Sequence, residues 1–264
     1  MVCIVICAAG KGTRMNDNNI PKVLRKVEEK TMLEMVLETA IELIAQLTIQ
    51  SLDSLDSLDS LNINNEIIVI VSNENKEAIE RTIETINSNQ TNIKTIQNIK
   101  IAVQEKVNGT ASAVLTAKQF YENEDLLVLL GDVPLIKYST LKNIIEGKEN
   151  GILGFVDDEK NKFGRLFVKD GCVEKIVEYN EATIEERKIK TMNSGILFLN
   201  RHSTQYLDKI TNNNSKKEYY LTDIVKILND ANIKVKYYEA SHKECYGANS
   251  PEELERLNKF NQEN

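Results

Sequence analysis

Histidine, cysteine and positive charge are scarce in this chain, and each scarcity closes off a class of function. Only two histidines, His202 and His242, occur in 264 residues, so a Ser-His-Asp or Cys-His nucleophilic centre has little to draw on. Both sit among polar residues and are expected at the surface. The four cysteines (Cys3, Cys7, Cys172, Cys245) show no metal-ligand spacing. Cys3 and Cys7 fall on one face of a first strand and would not pair without distortion, so buried, reduced thiols are expected. Lys and Arg number 33 against 40 Asp and Glu, a net charge of −7, and no basic stripe offsets it. That argues against a general nucleic-acid binder. No apolar run approaches the ~20 residues that span a bilayer. Met1 to Ala9 is apolar but lacks the positive leader of a targeting segment, so the cytoplasm is the expected compartment.

What is present starts at the first residues. A β-branched apolar run, Val2 to Ile6, feeds into Ala8-Ala9-Gly10-Lys11-Gly12-Thr13-Arg14-Met15, and Pro21-Lys22-Val23-Leu24 follows. Small residues let backbone N–H groups approach an anion, and nearby Lys and Arg neutralise it. Two familiar phosphate loops do not fit. The P-loop needs four residues between its first glycine and Gly-Lys-Ser/Thr, and the dinucleotide fingerprint needs a third glycine where Met15 stands. The bland alternative is an ordinary strand-to-helix turn, with Lys22 a surface lysine.

Further along, short apolar runs alternate with helical patterns, which predicts an α/β domain with a largely parallel sheet. Strands are predicted at Val2–Ile6, Glu66–Ser72, Ile99–Val103, Leu126–Leu130, Gly151–Val156, Arg165–Lys169, Gly195–Leu199 and Ile233–Glu239. Helices are predicted at Met32–Gln46, Lys76–Asn87, Thr110–Tyr121, Ser139–Gly147, Tyr220–Ala231 and from Pro251 to Phe260. Met32, Val36, Leu37, Ala40, Ile41 and Ile44 form a stripe that reads as core packing. The Ser-Leu-Asp repeat of residues 51–61 fits neither helix nor strand periodicity and reads as a low-complexity loop insertion over 48–65. Its leucines mark either a contact surface or drift in a tolerated loop.

Asp132 follows a buried apolar run and Gly131, at the C-terminal end of a strand, where open α/β sheets bind ligands. Its alternative is a turn residue before Pro134. Asn249 offers a side-chain oxygen, or the N-cap of the helix opening at Pro251.

An ordered series of motifs adds to this. Gln104…Gly109-Thr110, Leu129-Leu130-Gly131-Asp132-Val133-Pro134, Gly164-Arg165…Glu178, Asn193-Ser194-Gly195, Glu218-Tyr219-Tyr220-Leu221-Thr222-Asp223 and Gly247-Ala248-Asn249 follow the opening loop. The chain resembles, almost end to end, the sugar nucleotidyltransferases, and within them the uridyltransferase domain of bacterial N-acetylglucosamine-1-phosphate uridyltransferases. The resemblance implies a Rossmann-like, mostly parallel sheet flanked by helices, with a small β-rich sugar-binding subdomain. It implies one nucleotidyltransferase domain over residues 1–250 and a C-terminal helix over 251–264. In that family a helix here leads into a left-handed β-helix with an acetyltransferase site. No hexapeptide repeat follows Asn264, so that activity and the trimer built through it are expected to be absent, leaving a monomer.

The implied substrates are UTP and a sugar-1-phosphate, with Mg²⁺ as cofactor and neither nucleic acid nor membrane as partner. Ala8, Ala9, Gly10, Lys11, Gly12 and Thr13 would cradle the nucleotide. Arg14 would neutralise the departing phosphates, and Lys22 would draw the acceptor phosphate to the α-phosphorus. Gln104, Gly109 and Thr110 would meet uracil. Gly164, Glu178, Asn193, Tyr220 and Thr222 would meet the sugar, although Tyr219 and Tyr220 also read as packing aromatics. Asp132 and Asn249 would hold the metal. Departures fall on the base and sugar positions: Val107 and Leu130 replace a glutamine and a tyrosine, Ala111-Ser112 replace Gly-His, and Phe163 replaces a tyrosine. A CTP or glucose-1-phosphate enzyme, or a silent regulatory domain, therefore stays open beside the uridyltransferase.

Overall fold

The computed structural model describes residues 1–15, 20–53, 65–89, 99–158 and 161–263. In chain order the elements are β1 (Val2–Cys7), β2 (Lys26–Val27), β3 (Lys30–Thr31), α1 (Met32–Asp53), β4 (Glu66–Ser72), α2 (Lys76–Asn89) and β5 (Ile99–Gln104). Next come α3 (Thr110–Thr116), α4 (Lys118–Tyr121), β6 (Asp125–Leu130), α5 (Tyr138–Glu146), β7 (Gly151–Val156), β8 (Arg165–Lys169) and β9 (Cys172–Val177). The last are β10 (Thr191–Leu199), α6 (Asp223–Asp230), β11 (Lys236–Glu239), α7 (His242–Cys245) and α8 (Pro251–Gln262).

Nine strands form one sheet in the order β5-β4-β1-β6-β10-β7-β11-β9-β8. The first four are parallel, with Val5 opposite both Ile68 and Val128. β10 runs antiparallel to β6 and β7, so the remaining strands are mixed. The continuous apolar runs follow from burial on both faces. Ile4, Ile6, Val69 and Leu127 pack under α1 and α5, whereas Cys3, Val5, Ile68 and Val128 pack under α3 and α6. Of the α1 stripe, Val36, Leu37, Ala40, Ile41 and Ile44 enter the first layer. Met32 instead joins Met15, Val27, Tyr246 and Leu257 in a third cluster that fastens α8 beside the opening loop.

Several predicted boundaries move. α1 continues through Asp53, so the supposed loop insertion is helical over 48–53, where the Thr48 hydroxyl donates to the Ile44 carbonyl; residues 54–64 lie outside the described residues. The helix predicted over Thr110–Tyr121 breaks at Ala117 (φ −90°, ψ 5°). β9 was not predicted, yet Asp170-Gly171, both at positive φ, make the two-residue turn that pairs it with β8. β10 starts at Thr191 rather than Gly195, and α6 at Asp223 rather than Tyr220. The β-rich end is thus a continuation of the main sheet.

Cys3 and Cys245 are buried; Cys7 and Cys172 are only half-buried, and all four are free. His202 is exposed, but His242 is not a surface group: its ring stacks on Phe155 at 5.3 Å and meets Tyr246 and Phe260 edge-on.

Candidate active site

β1 and β6 are parallel neighbours that end together, Cys7 opposite Leu130, and both release their loops at the same rim. The Gly131 amide donates to the Cys7 carbonyl at 3.0 Å, and a Cβ at Gly131 would stand 3.2 Å from Val23. Close approach of these loops therefore sets Asp132 beside the 3₁₀ turn of Lys22–Leu24. Gly12 (φ 61°) lies on Lys22 itself; a Cβ there would come within 2.6 Å of the lysine Cβ. Glycine is required twice over, by conformation and by space.

Asn249 reaches the same point from the far end of the chain. The Ala248 amide donates to the Asp132 carbonyl at 3.2 Å, which ties the Gly247–Asn249 segment to the β6 loop. Ser250, not Asn249, caps α8: its Oγ accepts from the Glu253 amide at 3.3 Å, while Glu253 Oε2 accepts from the Asn249 amide at 2.7 Å. The Asn249 side chain is thereby left to the site. Lys22 Nζ donates to Asp132 Oδ2 at 2.5 Å and to Asn249 Oδ1 at 2.9 Å. The side chains of Lys22 and Asp132 are only 13% and 15% exposed, so the contact is well shielded from water. Two hard oxygens that converge on one cationic nitrogen form a donor pair suited to a small hard cation.

Two cavities meet at this contact. One, of about 300 Å³, is lined by Ala9, Gly10, Lys22, Gln104, Gly109 and Thr110. The other, of about 270 Å³, is lined by Gly164, Glu178, Asn193, Tyr220, Thr222 and Asn249. Thr110, Leu130 and Asp132 line both. Gln104 Nε2 donates to the Gly109 carbonyl at 3.2 Å, and Gly109 (φ 126°) lies so close to Tyr219 that a Cβ would collide with its backbone. Tyr219 thus packs, whereas Tyr220 faces the second cavity. Four predicted residues are not drawn in. Ala8 is buried with its carbonyl bonded to Asn75 Nδ2, Lys11 pairs with Glu74 at 3.1 Å, Thr13 is exposed, and Arg14, also exposed, lines neither cavity but a third one with Lys162 and Arg256. Ala8 and Lys11 are engaged by β4-side residues that sequence spacing does not show.

On the second cavity, the late start of α6 leaves Tyr220 and Thr222 outside the helix. Thr222 Oγ1 donates to Glu178 Oε1 at 3.0 Å. Burial raises the Glu178 carboxyl above its ordinary range, partly offset by that hydroxyl, and burial followed by nearby acids pushes Tyr220 up to about 12. Asn193 sits where β10 slips register against β7, and Oδ1 accepts from the Gly195 amide at 3.0 Å, so a bulge re-aims its side chain. Cys7 forms part of the first cavity's floor, and burial, then Asp132, pushes its thiol up to about 12. At neutral pH it is not a nucleophile.

The sequence reading missed Lys162, Glu218 and Arg256, all of which line cavities here. Lys162 precedes the Gly164-Arg165 motif, Glu218 opens the Glu218–Asp223 motif and Arg256 lies within the predicted last helix, but no spacing rule marks any of them. The buried Arg165 is structural. Its guanidinium bonds the Phe163 carbonyl and Asn161, bracing the turn before β8.

A MobA-like NTP transferase domain matches residues 4–193. The chain belongs to that family. It is also 32% identical over 263 residues to the bifunctional protein GlmU of Buchnera aphidicola subsp. Schizaphis graminum (strain Sg), covering 97% of this chain and 50% of that protein. The chain therefore spans about half the length of that curated relative. Among solved structures it resembles a UDP-glucose pyrophosphorylase complexed with UDP-glucose (TM-score 0.72, 16% identity, 99% of this chain and 98% of the other). A putative glucose-1-phosphate thymidylyltransferase from Bacillus anthracis is similar as well (TM-score 0.70, 18% identity, 98% and 95%). The fold is that of the nucleotide-diphospho-sugar transferases. Among the described residues, no helix is long and apolar enough to cross a membrane.

Proposed function

We propose that this protein joins UTP and N-acetylglucosamine-1-phosphate to give UDP-N-acetylglucosamine and pyrophosphate. The observation that carries the reading is the Lys22 contact with Asp132 and Asn249, placed where two cavities of different lining meet. A sugar-phosphate oxygen forms the new bond to the α-phosphorus of UTP, and the bond from that phosphorus to the bridging β-phosphate oxygen breaks. No proton or electron pair is left over. Two anions must approach each other, so catalysis is positioning and charge neutralisation.

Each residue has a role in that scheme. Ala9 and Gly10 leave room for the nucleotide to lie against backbone, and Gln104 offers donor and acceptor to a base edge. Lys22 supplies positive charge between the acceptor phosphate and the α-phosphate, and Arg14 favours the departing end. Glu178 and Thr222 suit sugar hydroxyls, and Asn193 suits an amide such as N-acetyl. Asp132 and Asn249 are the residues that would hold Mg²⁺, which when bound would offset phosphate charge. The chain acts as a monomer in this reading, and light scattering tests that.

Pyrophosphate release from each of four nucleoside triphosphates with several sugar-1-phosphates, in Mg²⁺, decides the substrate. Highest kcat/KM with UTP and N-acetylglucosamine-1-phosphate is the expected result; preference for CTP or dTTP overturns the uridyl assignment. The second reading, another sugar nucleotide, draws on Val107 and Leu130, which line the cavities where the resembled family carries polar side chains.

A further inference from the structure

One carboxylate in the nucleotide-side cavity has no part in the proposed reaction. Glu218 lines that cavity with Gln104, Val107 and Gly109. It is half-buried, and among the described residues its carboxylate makes no hydrogen bond or ion pair. Its backbone, by contrast, is held firmly. Asn214 Oδ1 accepts from the Glu218 amide at 3.1 Å, and Asn214 Nδ2 donates to the Glu218 carbonyl. The next residue, Tyr219, donates its amide to the Asn108 carbonyl at 2.8 Å and accepts from the Ala111 amide at 3.0 Å. Those bonds hold Glu218 against the loop between β5 and α3, on the Gln104 side of the cavity. Lys22 and Asp132 enter the same cavity from the loops after β1 and β6.

An ionised carboxylate only accepts hydrogen bonds, and it repels phosphate. In a cavity that takes a polyanion, such a group is tolerated where it meets donors away from the phosphates. A nucleoside triphosphate offers few of them: the base edge and the 2′ and 3′ hydroxyls of ribose. Gln104 can serve the base edge with both a donor and an acceptor. The vicinal hydroxyls remain, and the two oxygens of one carboxylate match two adjacent O–H groups. We propose that Glu218 reads the ribose, accepting from its hydroxyls, and so makes the site selective for ribonucleotides over deoxyribonucleotides. The inference rests on the first cavity being the nucleotide site, but not on which base or which sugar-phosphate is used.

Kinetics with UTP and dUTP, and calorimetric titration of each into the full chain, test this. The parent chain should favour UTP over dUTP by about 10²-fold, and Glu218→Gln should narrow that ratio by roughly tenfold, the scale of a hydrogen bond to a charged group. The substitution keeps the side chain's shape and the backbone bonds to Asn214, so the fold is not at stake. Glu105→Gln removes an exposed carboxylate from the same loop and should leave the ratio unchanged. That control separates recognition of hydroxyls from a general loss of negative charge, which would favour both nucleotides equally. The KM for the sugar-phosphate should not move. No preference for UTP in the parent chain, an unchanged ratio in Glu218→Gln, or an equal narrowing in Glu105→Gln overturns the proposal. So does a UTP-to-CTP ratio that moves in Glu218→Gln while the UTP-to-dUTP ratio holds, because the carboxylate then reads the base. A chain that binds both nucleotides with the expected ratios but makes no UDP-N-acetylglucosamine would sink the substrate reading alone. Turnover with a UTP-to-dUTP ratio indifferent to Glu218 would sink this one alone.

Discussion

The parallel strands β5-β4-β1-β6 and the mixed strands β10-β7-β11-β9-β8 supply opposite sides of the site by different means. On the parallel side, residues stand at strand ends that stop in register, so Gln104, the opening loop and Asp132 share one rim. On the mixed side, they sit at irregularities: Asn193 at a register slip, Glu178 just past a hairpin, Tyr220 and Thr222 ahead of a late helix start. A rim fixed by the sheet suits groups whose position sets the reaction. Bulges and loop ends can be re-aimed without disturbing the core, which suits groups that choose a substrate.

Variants can break this division of labour. Asp132→Ala should have the largest effect, a fall in kcat of about 10³-fold or more with the fold retained, since it removes one of the two oxygens on Lys22. Circular dichroism and turnover check it together, and unchanged activity would refute the role. Glu178→Ala should raise the KM for the sugar-phosphate by roughly 10²-fold, from the lost charged hydrogen bonds, with the UTP KM little altered. A kcat loss as deep as that of Asp132→Ala would erase the contrast between the two sides.

Gln104→Ala should reduce discrimination between UTP and CTP by about tenfold, measured as a ratio of kcat/KM values. The smallest effect is on stability. Burial raises the Glu178 carboxyl, so its charged form costs the fold stability at pH values above its folded pKa. That cost fades as pH falls through the raised value and vanishes below the ordinary carboxylate pKa of ~4.3. Glu178→Gln should therefore melt at a higher temperature than the parent chain near neutral pH, with the difference disappearing in acid. A constant difference across that window would contradict the burial effect.

Much of the parallel side was legible because both its signals are local. Strands buried on two faces read as unbroken apolar runs, and Gly12 announces a position only glycine can take. The mixed side was harder. β9 alternates too weakly to stand out, although Asp170-Gly171 marked its turn, and the Tyr220–Thr222 stretch carries a helical pattern without being helical. His242 looked polar from its neighbours in sequence and proved aromatic in its neighbours in space.

By itself the sequence determined the layered α/β core, the strand that presents the opening loop, and the residue types able to handle phosphate. Those follow from side-chain periodicity and from backbone space, which are properties of adjacent residues. Only the tertiary structure decided that Lys22, Asp132 and Asn249 meet at one point, that Ala8 and Lys11 turn to β4-side partners instead, and that Lys162 and Arg256 join Arg14 around a third cavity. Such meetings depend on loops packed from opposite ends of the chain, and sequence separation carries no record of that distance.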